Sequence, residues 1–183
     1  VIQWLRDELK IINSADETSD IAKSLDGNDS VYIVPAFTGL GAPYWNMKSK
    51  GLITGLTRGT NSKHLIRASL ESICFQVNDL IDCLNNDIGH KITKLKVDGG
   101  ATKNDFLMQF QSDISNLEIK KPENVESTAL GAALLSGIGS DYWSDIEYLN
   151  SKESNETYHP KSKKQNRLNL LKEWRNAIKQ CLL

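Results

Sequence analysis

This chain has almost no charge bias. Its 22 Lys and Arg stand against 23 Asp and Glu in 183 residues, a formal charge of −1. Such a balance implies no global electrostatic pull toward nucleic acid or an acidic membrane, so neither is an expected partner. Cysteine is scarce as well: Cys74, Cys83 and Cys181 form no CxxC pair, which argues against a disulfide framework and against a zinc site. Thiols of that kind belong in a reducing compartment. No apolar run approaches the length of a membrane span, and the first residues lack the charged-then-apolar pattern of a signal peptide, so the cytoplasm is the expected location. In that compartment the sequons at Asn28 and Asn155 carry no meaning. No internal repeat or low-complexity tract is found. An initiating methionine is also missing: Val1 to Leu9 already reads as a helix in progress, as if the chain starts inside a fold.

What is present alternates between two periods. Polar residues around Asp16, Glu17 and Asp20 predict a second short helix, ended by the turn Asp26-Gly27-Asn28-Asp29. Val31 to Val34, stopped by Pro35, reads as a buried strand. From Phe37 to Gly51 runs a loop rich in glycine and aromatics, of a length that in compact domains is usually functional or mobile. Leu52 to Leu56 is a short extended piece. Thr60-Asn61-Ser62 then caps the longest helix, along which Ile66, Leu70, Ile73, Val77, Leu80, Ile81 and Leu84 make a core-facing stripe. Leu117 to Lys120 offers a strand closed by Pro122. Ser127 to Gly137 is a helix of small residues, in which Gly131 needs a packing reason, expected to be the backing of the Gly99-Gly100 turn. Ser151 to Lys164 reads as a patternless surface excursion, and helical period returns through Leu168, Leu171, Trp174, Ile178 and Leu182. Alternating strands and helices place the chain in the α/β class, at a length that suits one domain or part of a larger one.

The segment with most chemical content is Val97-Asp98-Gly99-Gly100-Ala101-Thr102-Lys103-Asn104-Asp105-Phe106. Thr93, Leu95 and Val97 alternate with lysines ahead of it, while Phe106, Leu107, Phe110 and Ile114 recur at helical spacing behind it. A strand that turns on two glycines straight into a helix lets a ligand approach backbone closely and meet the free amides of the first helical turn. The same residues also describe a plain tight connection, with Thr102 capping the helix and Asp105 completing a capping box. Asp98 is read as bracing the turn by hydrogen bonds rather than as a proton acceptor. Asn104, on an exposed first turn, has a donor and acceptors for an adenine edge.

Several segments together resemble the FGGY carbohydrate-kinase family of the actin-like ATPase superfold, most closely its glycerol-phosphorylating members. They are Val34 to Trp45; Gly51 to Leu56 with His64-Leu65 and Ala68 to Glu71; Val97 to Ala101 with Asn104 and Phe106 to Asp113; and Glu126 to Ala133. The resemblance implies an actin-like (ribonuclease H-like) C-terminal nucleotide-binding domain over residues 1–183, with a mixed sheet flanked by helices and its first strands missing. It implies ATP or ADP as ligand, with Gln3, Gly100 and Asn104 at nucleotide-contacting positions, and Glu126 to Ala133 as the helix closing the pocket. Mg²⁺ would come with the nucleotide, its ligands lying outside this chain; so would the catalytic base and the glycerol contacts, which leaves no catalytic residue here. The parent is expected to be a homo-oligomer. A kinase for another polyol or a pentulose, and a non-catalytic actin-like module that keeps nucleotide as a structural ligand, are the alternatives.

Overall fold

The computed structural model describes residues 1–122, 127–143 and 155–183. In chain order the elements are α1 (Ile2–Asp7), α2 (Thr18–Lys23), β1 (Tyr32–Val34), β2 (Leu52–Thr54), α3 (Ser62–Ile88) and β3 (Lys94–Lys96). A 3₁₀ turn (Gly100–Lys103) leads into α4 (Asp105–Ser115), followed by β4 (Glu118–Pro122), α5 (Ser127–Gly139), β5 (Asn155–Tyr158) and α6 (Lys164–Cys181). β1 and β2 pair antiparallel, with Ile33 opposite Ile53. Gly55, just past β2 at the end of the pair away from the connecting loop, sits at φ +82°, where an added Cβ would lie 1.8 Å from the Ser30 carbonyl oxygen, so no other residue fits there. β3 and β4 run parallel, joined by α4, with Leu95 opposite Ile119; β5 adds antiparallel to β4, with Tyr158 opposite Ile119. The sheet is therefore mixed and helix-flanked, the α/β architecture expected from the sequence.

The cap of α3 is reciprocal. The Asn61 side chain accepts from the Lys63 amide at 3.0 Å while His64 Nδ1 accepts from the Asn61 amide at 3.2 Å, which satisfies two donors of the first turn. Ile66, Leu70 and Ile81 of the stripe are buried, but Leu80 and Leu84 are 40 % and 49 % exposed. At 27 residues α3 outruns the elements packed on it, and its inner face also takes polar residues: Glu71, Asn78 and Asp79 are buried. Across the core Trp174 of α6, fully buried, stacks on Phe75 at 5.1 Å, and Phe110 of α4 meets Phe75 edge-on at 5.6 Å.

Two expectations are overturned. Residues 155–158, inside the supposedly patternless excursion, form β5; the edge of β4 supplies hydrogen bonds that composition does not encode. Gly131 backs no turn, because nothing lies within 4 Å of where its Cβ would be. The glycine of α5 with a packing reason is Gly137, whose missing Cβ makes room for the Trp143 ring. Glu126, in the pocket-closing motif, lies outside the described residues, and none of the described α5 residues lines the main cleft.

Candidate functional site

The glycine pair does not open straight into a helix. Gly99 sits at φ +88°, a conformation that L side chains resist, and a single 3₁₀ turn follows before α4 begins. Thr102 is not the cap: it is buried, and its hydroxyl donates back to the Gly99 carbonyl at 2.7 Å, fastening the turn from within. Asp98 makes no hydrogen bond among the described residues, so that Thr102 bond replaces the brace expected of it. The cap of α4 is Asn104. Its Oδ1 accepts from the Leu107 amide at 2.9 Å, and its Nδ2 donates to Thr18 Oγ1 at 2.9 Å. A cap bond holds its acceptor rigidly in place because the first-turn amides have no other partner. The Asn104 amide thus ties the start of α4 to the start of α2.

A buried cluster sets the position of α2. Arg67 of α3 donates to Glu71 Oε1 at 2.8 Å and to the carbonyls of Ala22 and Leu25 at the end of α2, and its guanidinium lies 5.1 Å from the centroid of the Phe106 ring. Glu71, 1 % exposed, accepts also from Asn28 Nδ2 at 2.9 Å. Burial pushes its carboxyl up from the usual value, and the bonds from Arg67 and Asn28 oppose that push. Removing one partner of such a pair would strand a buried charge, which makes it a rigid joint between α2, α3 and α4.

These joints enclose a cleft of about 540 Å³ at the carboxyl end of β3. Ile2, Leu70, Ile73 and Leu107 give it an apolar floor; Gln3, Arg6, Asp16, Thr18, Lys103 and Asn104 give it a polar wall, with Gly100 and Ala101 at its edge. A concave site with an apolar floor and polar groups at its wall is the usual form of a small-molecule site. Gln3, Gly100 and Asn104, far apart in sequence, all line it. Nothing lies within 4 Å of the Gly100 Cβ position, so backbone is open to a ligand there. Arg6, Asp16, Thr18 and Lys103 also line the cleft, and no motif in the sequence marks them. Asp16 marked a helix start in the sequence, but no periodicity signals that a loop residue borders a cavity.

An α/β unit with a glycine turn over an apolar-floored cleft at its strand ends is a ligand-holding domain of the kind in which the sheet positions and the loops bind. The chain belongs to the FGGY family of carbohydrate kinases: the model of that family's C-terminal domain matches residues 1–140. It is 50 % identical over 179 residues to the glycerol kinase of Vibrio parahaemolyticus, covering 97 % of this chain and 35 % of that relative. Among solved structures it is similar to Plasmodium falciparum glycerol kinase with ADP, at TM-score 0.89 and 37 % identity, over all of this chain and 36 % of that one. The ligand-bound xylulose kinase of Lactobacillus acidophilus aligns at TM-score 0.74 and 26 % identity, over 97 % of this chain and 37 % of that one. The chain thus spans little more than a third of the length of its curated relatives.

Proposed function

We propose that the complete polypeptide transfers the terminal phosphoryl group of ATP to glycerol, giving glycerol 3-phosphate, and that this chain supplies the wall that holds the adenosine end. The observation that carries the reading is the cleft itself, an apolar floor beneath a glycine turn, on a chain half-identical to a glycerol kinase over nearly its whole length. In this reading Gly100 lets the nucleoside lie against bare backbone and Gln3 offers an amide that both donates and accepts. Asn104 acts by holding α2 and α4 at the spacing the ring needs. Phosphoryl transfer also requires a base at the attacking hydroxyl and neutralisation of phosphate charge. Those parts, with the glycerol contacts, are assigned to the portion outside these 183 residues.

Mg²⁺ would arrive with the nucleotide and neutralise phosphate charge. Among the described residues no group of three His, Cys, Asp or Glu could hold a metal, and the ion's protein ligands are assigned to the rest of the polypeptide. Homo-oligomeric assembly and a cytoplasmic location belong to the same proposal; no helix among the described residues is long and apolar enough to cross a membrane. A pentulose kinase is the second reading, favoured by the xylulose kinase likeness. The test is the complete polypeptide assayed with ATP against glycerol and xylulose in parallel. Glycerol 3-phosphate as the dominant product is the expected result; preference for xylulose, or no transfer to either, overturns it.

A further inference from the structure

We propose that the turn Asn28-Asp29-Ser30 is a positioning device for the nucleotide-holding wall, and that Gly55, His64 and Glu71 serve that wall by clamping this turn; the inference rests on the nucleotide reading above and deepens it. All three belong to the motif made by Gly51 to Leu56, His64-Leu65 and Ala68 to Glu71, and they converge on three consecutive residues. Gly55 lies so close that an added Cβ would fall 1.8 Å from the Ser30 carbonyl oxygen. His64, buried, keeps Nδ1 as acceptor for the Asn61 amide, so Nε2 carries the proton and donates to Asp29 Oδ2 at 3.0 Å. Glu71 accepts from Asn28 Nδ2 at 2.9 Å, and Asn28 Oδ1 in turn accepts from the Ser30 amide at 3.1 Å. The turn needs this grip. Asp29 and Ser30 stand at φ +48° and +63°, two successive side-chain-bearing residues in the left-handed region, a conformation held only where the surroundings impose it.

What the turn holds is α2. Its C-terminal end runs toward the clamp, where Arg67, the partner of Glu71, donates to the carbonyls of Ala22 and Leu25. Its N-terminal end lies at the cleft: Thr18 lines it and accepts from Asn104 Nδ2 at 2.9 Å, and Ser19 Oγ accepts from the Phe106 amide at 3.4 Å. At six residues α2 is about 9 Å long and too short to be stable by itself, so its direction is set by what grips its two ends. A turn free to leave the left-handed region lets that helix swing and draws Thr18 away from Asn104. The ligand must then restore the wall as it binds, and its apparent affinity falls by the fraction of molecules in which the wall is in place. Loss of one clamp bond, at the net value of a single hydrogen bond, therefore weakens nucleotide binding about threefold to tenfold. Asp29 does not line the cleft, and acts on it through α2.

The experiment is calorimetric binding of ADP to the complete polypeptide and to its Asp29→Ala, Asp29→Asn and Asp79→Ala variants, with melting temperatures in parallel. Asp29→Ala takes the acceptor from His64 at a side chain that is 73 % exposed, so the protein should fold and bind ADP more weakly by the factor above. Asparagine keeps an oxygen for His64 and tolerates the left-handed region, so Asp29→Asn should bind as the unaltered protein does. Asp79→Ala loosens the fold elsewhere, at Tyr44 and Trp174; it should lower the melting temperature more than Asp29→Ala and leave ADP affinity unchanged. If ADP binds the unaltered protein and Asp29→Ala equally well, or if Asp29→Asn or Asp79→Ala weakens it as much as Asp29→Ala does, the positioning role is wrong and the nucleotide reading survives. If ADP does not bind the unaltered protein, the nucleotide reading falls, and the inference with it.

Discussion

Asp79 holds three elements together through one oxygen. Its Oδ2 accepts from Tyr44 Oη, in the aromatic loop after β1, at 2.8 Å and from Trp174 Nε1, on α6, at 2.7 Å. Replacing it with alanine leaves the indole N–H of a fully buried tryptophan without a partner, a cost of about 1–3 kcal/mol, and removes the tyrosine bond, worth about 0.5–1.5 kcal/mol. Asp79→Ala should therefore lower stability by about 2–4 kcal/mol. Asp79→Asn keeps an oxygen where both donors need it and no longer buries a charge, so it should stay within about 1 kcal/mol of the parent at neutral pH. Burial pushes the Asp79 carboxyl up, against the two hydrogen bonds that pull it down; nearby Asp82 adds to the push and Arg175 opposes it. A raised carboxyl binds its proton more tightly in the folded state. Its stabilising effect is fully present below the ordinary aspartate value of about 4 and is lost as pH rises through the raised value. The stability difference between parent and Asp79→Asn should thus fall as pH rises from about 4 through the raised Asp79 value and level off above it. Glu71, raised by its own burial, is common to both proteins and cancels. Urea unfolding followed by tryptophan fluorescence at pH 4 to 8 reads all of this. An Asn variant as unstable as the Ala variant, or a difference that grows with pH, would refute the account of this oxygen.

Gly100→Leu places a side chain in open cleft without backbone strain, so ADP binding should vanish in calorimetry while the melting temperature holds; unchanged affinity would mean the cleft is misassigned. Asn104→Ala removes a helix cap and the bond to Thr18, and should cost about 1–3 kcal/mol in chemical unfolding, a loss that a merely ligand-facing amide would not produce. The chain by itself should self-associate through α5, and Leu135→Glu should shift it to monomer in sedimentation; a clean monomer for the unaltered chain would count against that surface.

Wherever the signal is local, the sequence is enough. The α3 cap at Asn61, the strand at Val31 to Val34 and the period change across Gly99-Gly100 each depend on residues within one turn or one strand. Thr102 and Asn104 show where that ends: both are good capping residues, two positions apart, and an intervening 3₁₀ turn decides which of them caps. β5 has no local signal because a short edge strand is made by its partner. Tyr158 finds register opposite Ile119, and only the folded sheet provides that edge. The cleft was half legible. Gln3, Gly100 and Asn104 came from motif resemblance, whereas Arg6, Asp16, Thr18 and Lys103 enter it because α1, α2 and the glycine turn converge, a fact with no counterpart in any window of sequence. The Asp79 link to Trp174 spans 95 positions and joins a carboxylate that composition assigns to the surface with an indole that it assigns to the core.

α5 bears on how complete the site is. From Ser127 to Gly139 it has no charged residue, yet Leu130 and Leu135 are 40 % and 64 % exposed. A helix apolar on all sides is normally buried, and a contiguous exposed apolar face marks a contact surface. β3, next to the glycine turn, pairs with β4 on one side only among the described residues. Both features lie on the part of the fold that follows or flanks the cleft, and the relatives are far longer than this chain. In the proposed reading, other residues of the complete polypeptide cover these surfaces. The cleft described above would then be one wall of a closed site. In the proposed reading that wall carries a floor for the ring, and the base that acts at the phosphate comes from the rest of the polypeptide.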